Sequence, residues 1–248
     1  MSHLAVLSTR PEGERDPLVA RLRRMGYRVH AVPTLVLEPL DFPPPDLAAF
    51  DWVVVTSAMG ARVLLERVPP RPGPRWAAVG PRTAAELSRR GVVPLAVPEQ
   101  RRGAAIAEEM ARVPGRLRGA RVLLARADAA APDLPTALRR AGAVVEELAV
   151  YHTLEGPPAS RPGLRVALAD PELAAVVFAS GSAARGLLRL APEARRLPAV
   201  TIGPSTTAAA RAEGFAVLAE APRADVEGLV EAVRAALGPP IRSEGGKV

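Results

Sequence analysis

Hydroxyl side chains placed where helices begin are the chemistry this sequence writes twice. Ser57 and Thr83 stand in residues 52–96, and Ser180 and Thr206 stand at the matching places of residues 175–219. The two stretches align without a gap, so that Val53, Val54, Leu64, Gly80, Pro81 and Gly91 meet Val176, Val177, Leu187, Gly203, Pro204 and Gly214. A long internal period means that one supersecondary unit has been built twice. Each copy reads as an apolar strand, a turn with a Ser, a helix, a second strand, a Gly-Pro turn with a Thr, and another helix. The hydroxyls then lie at the carboxyl ends of strands, where open α/β sheets place their ligands and helix N-termini offer free N–H groups to anions.

Ser57 with Ala58, and Ser180 with Gly181 and Ser182, open the first helix of each copy. A Ser there caps the helix, worth about 1 kcal/mol, and presents hydroxyl and N–H groups to a carboxylate; both roles can hold at once. Thr83 and Thr206 follow the Gly-Pro turns, where Gly80 and Gly203 let a ligand approach the backbone closely. No G-x-G-x-x-G string occurs at either turn, which argues against a dinucleotide. Arg10 and Arg126 end two corresponding strands and suit either a salt bridge or the bidentate grip of a substrate carboxylate. Tyr151 stands where the other copy has Leu35, a polar handle gained once. His152 is its strand neighbour, points the opposite way and receives no role. No G-x-S-x-G is present and no His is placed to serve a Ser nucleophile.

The elements that carry these residues follow a short–long–short–long order. Residues 3–8 form a strand, a helix runs from about 15 to 25, and residues 28–37 form a second strand; residues 121–126, a helix ending at Gly142 and residues 145–153 repeat that short unit. The Pro-rich segment 38–50 leaves little room for the crossover helix of a parallel neighbour, and 154–163 reads as another Pro/Gly linker. Cutting there gives a contiguous domain at 40–152 and a discontinuous one made of 1–37 with 164–248, because two strands and a helix cannot bury a core alone. The expected architecture is two α/β domains, each a parallel sheet of about five strands with helices on both faces. Residues 31–38 and 147–153 cross between them as a hinge. The last helix runs from about 225 to 237, and 241–248 reads as a frayed tail.

Composition excludes several chemistries. The chain of 248 residues is 48% hydrophobic, enough for real cores, in runs too short to span a bilayer. Cysteine is absent, which removes disulfides and thiolates, and His3, His30 and His152 have no metal-ligand spacing, so no metal is expected. The start leads straight into a strand, which reads as a cytoplasmic protein with no membrane contact. A net charge of +7, nearly all Arg, fits GC-rich coding, which composition by itself favours, or an anionic small-molecule partner. With only 3% aromatic residues and no clustered basic stretch, nucleic-acid binding is not expected.

Six strings, in order, resemble one family: LSTRP at 7–11, VVVTSA at 53–58, AVGPRTA at 78–84, VYHT at 150–153, VFASGSA at 177–183 and TIGPST at 201–206. Over nearly the whole chain to Leu237, the pattern resembles the uroporphyrinogen-III synthases. The resemblance implies two flavodoxin-like domains joined by a two-stranded ladder, a monomer, and cofactor-free chemistry. It also implies the reaction: hydroxymethylbilane, a linear tetrapyrrole with eight carboxylates, loses water and closes to uroporphyrinogen III with inversion of ring D. It places the family's functional Thr positions at Thr83 and Thr206. The family's candidate for assisting hydroxyl departure falls at Tyr151. A non-catalytic, two-domain hinged binder of an anionic small molecule would share the same features without turnover.

Overall fold

The computed structural model describes residues 4–70, 72–98, 103–113 and 117–239. His3 and the expected tail at 241–248 lie outside these. The chain divides into two compact units, residues 1–36 with 154–248 and residues 37–153.

In the first unit, β1 (Ala5–Ser8), α1 (Pro17–Arg24) and β2 (Arg28–Ala31) come from the start of the chain. β3 (Leu35–Pro39), β4 (Trp52–Val55), α2 (Ala58–Arg67), β5 (Arg75–Ala78), α3 (Pro81–Arg89), α4 (Gly103–Arg112), β6 (Arg121–Ala127), α5 (Asp133–Arg140) and β7 (Val144–Glu155) follow. The first unit resumes with α6 (Arg161–Leu168), β8 (Leu173–Phe178), α7 (Gly181–Leu190), β9 (Ala199–Thr201), α8 (Pro204–Ala212), β10 (Val217–Glu220) and α9 (Val226–Leu237).

The first sheet has the order β10-β9-β8-β1-β2, all parallel, with β1 between β2 and β8. Numbered within its unit this is 2-1-3-4-5, the flavodoxin-like order. The second sheet runs β3-β7-β6-β4-β5, and Ala96 adds a single parallel bridge to Ala77 beyond β5. Since Ala96 matches Ala219 of β10 in the repeat, β7-β6-β4-β5 and this bridge retrace β2-β1-β8-β9-β10 in space. The chain, however, visits them in permuted order. β3 and β7 are antiparallel: Leu40 N–H donates to Val150 O at 3.0 Å, while Gly156 N–H donates to Thr34 O at 2.9 Å, so partner numbers fall as the others rise.

Parallel strands covered on both faces need apolar residues at consecutive positions. In the second unit Val53, Val55, Leu123 and Ala125 pack with Leu64 and Leu87 on the α2–α3 face. Trp52, Val54, Val122 and Leu124 pack with Ile106, Met110 and Leu138 on the α4–α5 face. In the first unit Val6, Val29, Val177 and Val200 meet Leu18, Leu22, Leu229 and Val233 of α1 and α9.

The structure corrects two expectations. Residues 28–37 are not one strand: β2 ends at Ala31 and β3 begins at Leu35. Pro33 between them has no N–H for a ladder, and its carbonyl accepts from Ser160 Oγ at 2.6 Å. The segment 154–163 is not all linker, because α6 starts at Arg161 with Pro162 and Gly163 in its first turn. Proline is tolerated there, where its missing N–H would have no intrahelical partner.

α7 lies unusually close to the backbone beneath it. A Cβ on Gly186 would fall 1.9 Å from Thr34 O and 3.0 Å from Gly156 N. Gly186→Ala should therefore cost well above the 1–3 kcal/mol usual for overpacking, read as a collapse of the denaturant midpoint of the first unit. A neutral result would mean that α7 can shift freely.

Asp170, half-buried before β8, accepts from His30 Nε2 at 2.7 Å and from Glu172 N–H at 3.0 Å, and pairs with Arg28. Burial works to raise its pKa, but the His30 and Glu172 hydrogen bonds and the Arg28 charge win and hold it below the ordinary carboxylate value. A depressed carboxylate contributes stability that is present above its unfolded pKa, about 4, and is lost as pH falls through the folded value. Asp170→Asn should lower Tm at neutral pH and flatten the Tm decline on the acid side of about pH 4. Equal acid slopes for the two proteins would show that Asp170 does not govern that limb.

Candidate functional site

Two helices begin side by side at the carboxyl edge of the second sheet, at the ends of β4 and β5. Ser57, in extended conformation, caps α2 by accepting from Gly60 N–H at 2.9 Å. A hydroxyl that accepts an N–H still has its own O–H to donate. Gly80 precedes α3, whose first turn is Pro81, Arg82 and Thr83. The first N–H groups of a helix have no intrahelical acceptor and carry its positive end. Thr56, Ser57, Ala58, Val79, Gly80, Arg82 and Thr83 together line a recess of about 230 Å³.

Thr83 is only 5% exposed, and its hydroxyl has no hydrogen-bond partner among the described residues. The buried side-chain polar atom left unpaired among those residues is Trp52 Nε1, so the Thr83 hydroxyl opens to solvent at the recess instead of being sealed in.

The first unit repeats the arrangement at the ends of β8 and β9. Ser180 caps α7, accepting from Ala183 N–H at 3.3 Å. Gly203 precedes α8, whose first turn is Pro204, Ser205 and Thr206. Thr206 is 4% exposed and, like Thr83, its hydroxyl has no partner among the described residues and is not sealed. A Cβ on Gly203 would meet nothing within 4 Å. With φ at 164° its backbone is extended and open to any residue, so the fold does not demand glycine there. The opposite holds at Gly181, where a Cβ would fall 2.6 Å from Ala209 Cβ; that glycine seats α7 against α8. Ser182 Oγ accepts from Arg185 Nη2 at 3.2 Å, and Arg185 is held in turn by Glu155 at 2.7 Å.

Neither arginine named from the sequence is a free cation. Arg10, 6% exposed, pairs with buried Asp16, whose other oxygen caps α1 through Leu18 N–H at 2.9 Å. Arg126, also 6% exposed, pairs with Glu147 at 2.8 Å and donates to Ala131 O. Both therefore make the salt bridge that the sequence offered as one of two readings.

Tyr151 owes its position to a β-bulge. β6 and β7 pair Arg126 with Ala149 but Ala127 with Tyr151, so β7 carries one extra residue at Val150. A bulge re-aims the side chain that follows it. Val150 and Tyr151 consequently both pack into the α2–α3 core with Val55 and Leu64, instead of on opposite faces. Val150 Cγ2 lies 3.5 Å from where a Cβ on Gly60 would be, in the first turn of α2. The Tyr151 ring is 8% exposed, and its hydroxyl has no partner and is not sealed among the described residues. His152 Nδ1 lies 2.6 Å from Asp128 Oδ2, and this hydrogen bond holds the Asp128 carboxyl below its ordinary value.

Sequence reasoning passed over Arg82 and Thr56. The available signal was asymmetry: the aligned Gly-Pro turns read Gly80-Pro81-Arg82-Thr83 and Gly203-Pro204-Ser205-Thr206, with the cation in one copy alone.

Residues 16–231 match the family model described as uroporphyrinogen-III synthase HemD. The uroporphyrinogen-III synthase of Synechococcus elongatus is 27% identical over 199 residues, covering 75% of this chain and 74% of that protein. The structure of the Helicobacter pylori synthase superposes with a TM-score of 0.68 at 18% identity, over 95% of this chain and 99% of that one. A methionine-substituted variant of the Thermus thermophilus synthase superposes with a TM-score of 0.62 at 20% identity, over 94% and 98%. These two share the fold, and the family match spans most of the sequence: the chain belongs to the uroporphyrinogen-III synthase family.

Proposed function

We propose that the substrate carboxylates are received by the paired helix N-terminal turns of each unit and that Tyr151 assists departure of the substrate hydroxyl. The reaction is that of the family: hydroxymethylbilane closes to uroporphyrinogen III, with inversion of ring D and loss of water, in tetrapyrrole biosynthesis.

The observation that carries this reading is the pair of threonines, Thr83 and Thr206, each about 95% buried and each without a partner for its hydroxyl. A hydroxyl that is recessed at the start of a helix, open to solvent and free of protein partners can donate to a ligand without first breaking a bond inside the protein. Ser57, Ala58 and Gly80 join Thr83 in this role. Ser180, Gly181, Ser182 and Gly203 join Thr206, although Gly181 also seats a helix and Ser182 also holds Arg185. Arg10 and Arg126, each held in an ion pair, would meet a substrate carboxylate only by sharing or exchanging that partner.

Tyr151 is supported by its bulge, by its unpaired hydroxyl and by its presence in one copy alone. Its O–H donates to the terminal hydroxyl as the C–O bond breaks, water leaves, and an azafulvene-type cation remains. Ring closure forms a carbon–carbon bond and releases a proton, which restores the phenol. Because the bilane also closes unaided to the type I isomer, the polypeptide contributes chiefly geometry, for which proximity effects are large. The chain acts in this scheme as a cytoplasmic monomer, without cofactor or nucleic acid. No helix among the described residues is long and apolar enough to cross a membrane.

Incubation with hydroxymethylbilane should yield predominantly the type III isomer; a type I product alone would overturn the assignment. Tyr151→Phe should lower type III formation about 10²-fold, as expected for loss of general-acid help. Thr83→Ala, Thr206→Ala and Ser57→Ala, each removing one shared hydrogen bond, should cost less than tenfold in kcat/KM. Should Tyr151→Phe keep most activity while one Thr variant loses nearly all of it, the proton donor lies elsewhere.

A further inference from the structure

Arg82 is the charged residue of the recess in the second unit. It lies in the first turn of α3, is exposed, and makes no ion pair among the described residues. Its situation contrasts with its neighbours: Arg89 and Arg90, later on the same helix, both pair with Glu86 at 2.7 and 2.8 Å. A cation at a helix N-terminus is unfavourable by itself, because it faces the positive end of the dipole. α3 has no acidic residue in its first turn to offset it. That arrangement becomes favourable once an anion sits among the Arg82 guanidinium, the Thr83 hydroxyl and the free N–H groups of the two helices.

The size of the recess limits what the anion can be. At about 230 Å³ it is below the 300–1,000 Å³ of ordinary small-molecule pockets, too small for a tetrapyrrole and suited to a single carboxylate-bearing arm. The first unit has the same helices and the same buried, unpartnered Thr206, but Ser205 stands where Arg82 would be. We infer that Arg82 is a specificity-determining anchor that fixes one carboxylate arm of the substrate in the second unit, so that the duplicated turns are functionally unequal. This rests on the site proposed above. The inequality matters because a linear substrate bearing carboxylates along its whole length offers many near-equivalent registers. Two identical receptors could not tell one end from the other, whereas one charge-assisted receptor and one neutral receptor can.

Arg82→Ser, which copies the residue found at the matching turn, should raise KM for hydroxymethylbilane about tenfold. It should leave kcat within about twofold and flatten the rise of KM with salt, since an exposed charge–charge contact is screened. Ser205→Arg in the wild-type background should lower the type III share of the product by making the two receptors alike. If Arg82→Ser leaves KM and its salt dependence unchanged while Thr83→Ala raises KM, the recess binds substrate and the role given to Arg82 is wrong. If neither substitution moves KM, the proposed site itself fails. Arg82 is on the surface and unpaired, and unchanged circular dichroism and Tm in the variant will show that the readout concerns binding and not folding.

Discussion

The backbone hydrogen bond from Gly156 N–H to Thr34 O is the constraint on which the architecture turns. Thr34 is where the chain is about to leave the first unit and Gly156 is where it has just returned, so this bond ties the two linking strands together at their root. Gly186 lies directly over it, and no side chain could occupy that place. Thr34 Oγ1 donates to Ala183 O at 2.8 Å, fastening the first turn of α7 to the same spot. The turn that caps with Ser180 and presents Gly181 is thus located by the very residues that join the units. Strand crossing, helix seating and site geometry share one backbone contact.

The buried threonines fall into two groups. Thr207 is as buried as Thr206 and adjacent to it, yet it exchanges a hydrogen bond with Thr201 at 2.6 Å and donates to Glu220. Thr9 donates to Val177 O at 2.7 Å. Thr206 and Thr83 lack such partners. Their hydroxyls stay open to solvent, and both fall at the same step of a repeated turn.

Much of this was legible because it is local. The repeat, the Ser caps and the apolar parallel strands follow from spacing and side-chain chemistry within a few residues. What escaped depends on contacts between distant segments. The interruption at 32–34 reflects a change of pairing partner around Pro33, which apolar content alone does not reveal. The start of α6 was hidden because Pro and Gly punctuate loops and first turns equally well. Arg10 and Arg126 could be read as ligands or as ion pairs, and their pairing with Asp16 and Glu147 is set by segments that the strand ends do not reveal. The bulge that turns Tyr151 toward α2 is a matter of register with β6, invisible along β7 itself. Arg82 was on view in the aligned copies but stands out only when differences between repeats are weighed as heavily as their identities.

The permuted chain order bears on how the protein emerges from the ribosome. β1 lies between β2 and β8, and Thr9 bonds to Val177 across a separation of 168 residues. The opening strands must therefore wait while the second sheet, whose described strands are encoded between residues 35 and 155, can form by itself. Contacts of such long range form late, and unpaired strand edges are where chains associate wrongly. β1 is short, and α1, which follows it, ends in Arg21, Arg23 and Arg24. A segment with so short a β-edge and a concentrated positive charge is poorly suited to pairing with its own copies.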